Sequence, residues 1–433
     1  MNNYSKFISY TICVISLTIA CKTTDTDISK TISYPEMAEA SNPKVLLDIN
    51  GVKVYNGGYG SAVVQDPNDP AVFYLLTDRG PNIDGTITNS KVFAQPGFVP
   101  KIGKFRLVDN QLVLEKDIEL QNENNVKLTG LPNPTNFGST GEIALDLNGT
   151  TLANSADGID SEGLAMAPDG SFWISDEYGP HILHVDANGK TLERINPFGS
   201  GKGGRKIPAV FARRRPNRGM EGLTITPDGK TLVGIMQFPL YNPSSAAISG
   251  SLVTRILTFD IATGATKQYV YLIDNAKLQA ISEITAITNT TFLVLERDGE
   301  YGTTSNKSTI VKKVYKIDLA TATDISDATD AIGGKLYNGK TVEELKTAAD
   351  LQANGITPVT KTLVVDLAND LTTIYPHDKA EGIAVINATT IAISNDDDFG
   401  ITGTGTYSAK ILPSTNAIDR NRIYFIKLSK PLK

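Results

Sequence analysis

From about residue 45 onward, short β-branched and aromatic runs alternate with Gly, Asp, Asn and Pro turns, and amphipathic helical spacing is nearly absent. Runs of this kind predict strands, so the chain is expected to be all-β. The runs also recur as a unit. Glu162-Gly163-Leu164-Ala165-Met166-Ala167 leads through a Pro168-Asp169-Gly170 turn into Phe172-Trp173-Ile174-Ser175-Asp176-Glu177. Glu221-Gly222-Leu223-Thr224-Ile225-Thr226 leads through Pro227-Asp228-Gly229 into Leu232-Val233-Gly234-Ile235-Met236-Gln237. Glu283-Ile284-Thr285-Ala286-Ile287 precedes Phe292-Leu293-Val294-Leu295-Glu296-Arg297, and Glu381-Gly382-Ile383-Ala384-Val385 precedes Ile391-Ala392-Ile393-Ser394-Asn395-Asp396. A looser unit opens at Ser61 and ends in Leu75-Leu76-Thr77-Asp78-Arg79.

Successive units begin 59 and 62 residues apart at Glu162, Glu221 and Glu283. A period of about 60 with several strands per unit predicts a β-propeller with long loops over 45–433. Six blades are expected, with five and seven as the alternatives, because one blade rests on the gap between Ser61 and Glu162 alone. A short helical insertion is expected near 320–361. There Thr341 and Glu344 form a capping box before Val342–Ala349.

If Asp169-Gly170 is the turn, Glu162 and Asp176 stand side by side at the open end of their hairpin. The same end carries Glu221 with Gln237, Glu283 with Glu296 and Arg297, Glu381 with Asn395 and Asp396, and Asp78 with Arg79. In a propeller these ends face one rim, so acids and arginines should converge on a funnel. Carboxylates this close repel unless a positive charge sits among them. Ca2+, which takes six to eight oxygens, is the economical answer. The expected metal ligands are Glu162, Asp176, Glu221, Glu283, Glu296, Glu381 and Asp396. Arg79, Arg297 and Arg218, at the end of Arg213-Arg214-Arg215-Pro216-Asn217-Arg218, would hold an anionic group. Metal plus guanidinium suits hydrolysis of a phosphate ester by water. His181 could act as acid or base beside the rim. Plainer readings stand beside these. The repeated Glu could lock blades together by bonding backbone amides, the arginine run could be a solvated loop, and Trp173 and His184 could be packing residues.

Charge and cysteines narrow the picture. The 433 residues carry 41 basic and 47 acidic side chains, a net charge of -6. That excludes a general nucleic-acid binder, which needs a basic face. Lys6 followed by an apolar run to Ala20 is too short to span a bilayer comfortably and reads as an export signal over 1–20. Leu17-Thr18-Ile19-Ala20-Cys21 resembles the lipobox of bacterial lipoproteins, with Thr18 where the usual pattern has Leu. Lipid on Cys21, a tether over 21–44 and a membrane-anchored, exported monomer are therefore expected. An ordinary secreted protein and an uncleaved anchor are the alternatives. Cys13 would leave with the signal, so the mature chain has no disulfide and no Cys-ligated zinc. Gly334–Thr341 matches a P-loop pattern, but the polar residues before it are no buried strand. No Gly-x-Ser-x-Gly elbow is present, which argues against an α/β-hydrolase.

Three blocks resemble the phytase-like family, also described by the esterase-like activity of phytase. They are Asp160-Ser161-Glu162-Gly163 with Phe172–Pro180, Asn217-Arg218-Gly219-Met220-Glu221-Gly222, and Asn395-Asp396-Asp397-Asp398-Phe399-Gly400. The resemblance covers about residues 45–430. It implies phosphoric ester hydrolysis and a distant similarity to calcium-dependent propeller phytases. It also carries over Glu162, Asp176, Glu177, Tyr178, Arg218, Glu221, Glu381, Asn395, Asp396 and Asp398. Among these it adds Glu177 as a catalytic residue, Tyr178 as a substrate contact and Asp398 as a metal ligand. Met236 and Gln237 depart from the acidic pattern of the other units. A carboxylic ester or lactone hydrolase on the same funnel, and a non-enzymatic ligand- or protein-binding surface module, are the other functional readings.

Overall fold

The computed structural model describes residues 1, 32–275 and 280–433. The chain divides into Met1–Ser33 and Tyr34–Lys433, and the strands belong to the latter. The expected signal and Cys21 lie outside the described residues. Among the described residues, no helix is long and apolar enough to cross a membrane.

The described residues fold as a β-propeller of five four-stranded blades. Each repeat read from the sequence is the inner hairpin of one blade: Ala62–Gln65 with Val72–Leu76, Ser161–Met166 with Phe172–Asp176, Met220–Ile225 with Thr231–Met236, Ala280–Ala286 with Thr291–Arg297, and Ala380–Asn387 with Thr390–Asn395. The inner strands contact one another in a closed ring. No sixth blade fills the gap after Ser61. That stretch supplies the outer strands of the first blade, Lys101–Val108 and Gln111–Glu119, plus a small three-stranded sheet of Asn82–Asp84, Ser90–Phe93 and Ile143–Leu145.

Both chain ends close the ring. Met37–Ala40 pairs antiparallel with Arg422–Lys427 as the outermost strand of the last blade, and Tyr34 stacks on Phe425. Met37–Ala40, within the stretch expected as a tether, is therefore blade strand. The core is divided as the architecture requires, with a cluster of buried apolar side chains at each of the five blade interfaces. Trp173 lies in one of them and stacks on His184 at 4.0 Å, so both are packing residues. In the insertion, Thr341 caps a single 3-10 turn, Val342–Leu345, and the α-helix proper is Ala348–Ala353. Lys346, at φ 56°, separates the two.

The repeated Glu-Gly pair has a physical reason. In the last four blades the inner strand shifts register, as a β-bulge does, at or next to the Glu. A bulge re-aims a side chain, and here it turns carboxylates out of the ladder. The glycine beside the Glu lets the next blade approach. A Cβ at Gly163 would lie 2.4 Å from the Leu223 nitrogen, and one at Gly222 would lie 2.5 Å from the Ile284 nitrogen. Gly163→Ala is expected to cost about 1–3 kcal/mol by forcing two backbones apart, measured by denaturant unfolding. An unchanged midpoint would show that the ring can breathe there.

Candidate functional site

The N-terminal ends of the inner strands and the loops beside them form one end of the central channel, opposite the Asp-Gly turns. Asp160, Glu162 and Glu177 come from the second blade and its entry loop. All three are buried, and one carboxylate oxygen from each lies within 4.8 Å of the others. Asp160 is the best compensated. Its Oδ1 accepts the Arg79 backbone N–H at 3.2 Å, and its Oδ2 lies 3.4 Å from the Arg79 guanidinium. Glu177 meets Arg218 at 3.3 Å. Burial pushes Glu177 up to about 8, with Arg218 opposing.

Glu162 has no such support. Among the described residues, no hydrogen bond or ion pair reaches its carboxylate. Burial and then the charges of Glu221, Asp160, Glu381 and Glu177 push it well above the usual range. Glu221 is similar. Its Oε1 accepts from Gln237 at 2.5 Å, while its Oε2 is buried with no partner among the described residues. Burial, Glu177 and Glu381 raise its pKa strongly. Glu381 is held by Arg297 at 2.6 Å.

Other expected ligands stand elsewhere. Asp176 lies behind the funnel. Its oxygens accept the backbone N–H groups of Asp160 at 2.9 Å, Tyr178 at 3.0 Å and Gly179 at 3.3 Å, and one lies 3.0 Å from His181. Burial opposes ionisation, yet His181, Arg194 and these amides hold Asp176 below its ordinary value. It therefore positions Asp160 rather than facing a ligand. His181 has no nitrogen to spare. Nε2 meets the Phe137 carbonyl at 2.9 Å and Nδ1 receives Arg194 Nε at 2.9 Å. Burial, then Arg194, lowers its pKa to about 4.

Glu283 accepts the N–H groups of Leu223 and Ile284, both at 2.9 Å, and so joins two blades. The blade-locking role considered for the repeated Glu is played by this one. Glu296 bonds Tyr271 and Lys361 on the face of its blade opposite to Arg297, because successive strand residues point to opposite sides. It does not enter the funnel.

A second acidic group joins Asp78, Asp396 and Asp398, again with oxygens within 4.8 Å. Lysines already sit in it. Lys379 Nζ lies 2.6 Å from both Asp396 and Asp398, and Lys410 Nζ lies 2.6 Å from Asp398. Burial opposes, but Lys379 and Lys410 hold Asp398 well below the usual range. Asp78 is pushed up to about 8 by burial and by Asp160. Asn395 bonds the Arg420 carbonyl and the Arg422 N–H and is structural.

The expected anion-binding groups also divide. The Arg79 guanidinium is enclosed by Glu142 at 3.1 Å, the Tyr178 hydroxyl at 3.0 Å and Asn217 at 3.3 Å. Tyr178 is fully buried and donates to the Gly130 carbonyl at 2.9 Å, so it cannot touch a substrate. Within the arginine run, Arg214 is buried on the Tyr178 and Gly138 carbonyls, whereas Arg218 reaches the funnel. Sequence reasoning missed Glu142, Lys379 and Lys410, which lie in loops without a repeat. One signal was available: Lys379 stands two residues before Glu381, as Asp160 stands two before Glu162.

A sizeable cavity lies away from this site. About 510 Å³ opens toward the turn end of the channel between Val63, Leu164, Leu223, Ile284 and Ile383, and its walls are mainly hydrocarbon. The chemistry-bearing groups lie at the other end.

A five-bladed propeller with an acidic funnel defines the class, and comparison supplies the family. The chain belongs to the phytase-like family, described by the esterase-like activity of phytase, whose signature matches residues 55–399. It is 25% identical over 311 residues to an uncharacterized secreted protein of Arthroderma benhamiae; the match spans 57% of this chain and 60% of that relative's length. Among solved structures it is similar to the PQQ-bound aldose sugar dehydrogenase of Streptomyces coelicolor, with 9% identity, TM-score 0.32, and coverage of 88% of this chain and 85% of that one. It is also similar to virginiamycin B lyase of Staphylococcus aureus, with 11% identity, TM-score 0.32, and coverage of 81% and 80%.

The donor set fits a hard cation. Asp160, Glu162 and Glu177 offer oxygen alone, and the Glu221 Oε2 atom is buried with no partner among the described residues.

Proposed function

We propose that this chain is an exported hydrolase of phosphate esters, acting at the funnel with Ca2+ held by Asp160, Glu162 and Glu177. The observation that carries the reading is Glu162, buried with a carboxylate oxygen within 4.8 Å of those of Asp160 and Glu177 and with no hydrogen-bond donor among the described residues. Buried charge of that kind calls for a counter-ion. When bound, the cation would neutralise the acids and polarise a phosphoryl oxygen.

The chain's own residues supply the rest. Asp176 and Arg79 hold Asp160 in place. Arg218 lies beside Glu177, where an anionic group would approach. Burial, Glu177 and Glu381 raise the Glu221 pKa well above the usual carboxylate range, so it is the group we assign to protonate the leaving oxygen as water replaces it on phosphorus. Family membership and the secreted relative support an exported phytase-like hydrolase. A lipid on Cys21 and a monomeric state complete the proposal.

The test is hydrolysis of an aryl phosphate and an aryl acetate in parallel. Chelator should abolish phosphate release, and added calcium should restore it. Full activity in excess chelator would remove the cation. Turnover of the acetate alone would replace this reading with a carboxylic ester hydrolase.

A further inference from the structure

Each cation at the funnel is tied to an acid, but the ties differ. The side chains of Arg79, Arg297 and Lys410 are 8%, 12% and 2% exposed. Those of Arg218 and Lys379 are 40% and 29% exposed. Arg218 reaches in from the loop before the third blade. Its guanidinium donates to Glu177 through Nη1 and lies over the Phe238 ring at 5.7 Å, which leaves further N–H donors facing solvent. Lys379 enters from the loop before the fifth blade. It spends two of its three donors on Asp396 and Asp398. Its charge acts on Asp78, Glu381 and Glu177, the last being the partner of Arg218. The two exposed cations therefore flank one acidic set from different blades.

The turn that holds Lys379 is built at some cost. Asp398 and Phe399 both lie at positive φ, 47° and 60°, where side chains are disfavoured. Phe399 is buried edge-on against Phe98, and Asp397 accepts the N–H groups of Gly58 and Phe399. The packing thus keeps Asp396 and Asp398 around the ammonium.

We infer that Lys379 and Arg218 form a two-sided clamp for a phosphate group, with Asp396 and Asp398 orienting the lysine rather than ligating a metal. This gives the hydrolase reading its substrate contacts, and it rests on that reading for the choice of phosphate. Arg79 and Arg297 are then internal counter-ions.

The experiment is calorimetric titration of the full chain, in saturating calcium, with inorganic phosphate. Arg218→Gln and Lys379→Gln should each weaken phosphate about tenfold or more, as loss of a charged hydrogen bond does. Lys379→Arg should keep most of the affinity. With aryl phosphate as substrate, the same variants should raise KM more than they lower kcat. Lys379→Gln leaves the buried Asp396 without its lysine, while Asp398 keeps Lys410, and the variant could unfold. Arg218→Gln is exposed, so its titration decides the matter alone if needed. Absence of phosphate binding to the unaltered protein, or unchanged affinity in Arg218→Gln, overturns the clamp. Phosphate binding that depends on both residues, without turnover of any ester, would sustain the clamp and sink the hydrolase reading. Turnover with unaltered KM in the variants would do the reverse.

Discussion

Glu162→Gln is expected to make the calcium-free protein more stable while weakening calcium roughly 100-fold or more, since even loss of a group supporting a ligand costs about 10–100-fold. The two effects have one cause. Glu162 is buried beside Asp160, Glu177, Glu221 and Glu381, and no donor among the described residues compensates it. Glutamine keeps the shape, removes one repelling charge, and brings an amide that can donate to a neighbouring carboxylate. Without metal the site should relax, and the thermal midpoint in chelator should rise. With metal the variant lacks a charged ligand, and phosphate-ester turnover should fall by a similar factor. Asp176→Asn is the informative contrast. That carboxylate already accepts three backbone amides, so its neutral replacement should lower stability at any calcium level. Lower stability of Glu162→Gln in chelator, with calcium affinity unchanged, would mean that the acids are satisfied as they stand.

The propeller was legible because its signals are local and repeated. In two blades a Glu-Gly pair and a Pro-Asp-Gly turn mark the two ends of the inner hairpin, and a third keeps the Glu-Gly pair. The pair recurs because a bulge and a close backbone approach demand it at the blade junction. The blade count was not legible. The extra length after Ser61 forms outer strands, loops and a small sheet, and spacing alone cannot tell these from a blade.

The site was half legible for related reasons. Glu162, Glu221 and Glu381 share one register position, so the repeat finds them. Their neighbours do not. Glu296 and Arg297 are adjacent in sequence, yet strand alternation sends only Arg297 to Glu381. Asp176 and Tyr178 lie in a block that resembles the family and His181 follows it, but all three spend their polar atoms on backbone groups, on each other and on Arg194. Lys379 and Lys410 come from loops of no repeating length. Whether an acid faces a cation, an amide or open space is decided by such loops, and the periodic pattern is silent about them.

Calcium-free stability is expected to fall as pH rises from about 5 to 9, and saturating calcium should flatten that fall. Burial raises Glu177 and Asp78 to about 8, and holds Glu162 and Glu221 well above the carboxylate range. In the unfolded chain the same groups titrate near about 4. Between those values the folded state binds more protons than the unfolded state. The slope of unfolding free energy with pH is then negative. The contribution is complete below about pH 4 and is lost as pH climbs through the folded-state values near 8. Asp176 and Asp398 act in the opposite sense. Their lowered values give stability above about pH 4 that disappears only in stronger acid. A maximum near pH 5 follows. Calcium binds the ionised carboxylates, so its binding must release protons, and its affinity should climb steeply between about pH 6 and 8. Thermal midpoints across pH in chelator and in calcium give the slopes. Calcium titrations in two buffers of different ionisation enthalpy give the proton count. A chelated protein that grows steadily more stable from pH 5 to 9 would show that the funnel acids ionise without penalty, and the need for a cation among them would disappear.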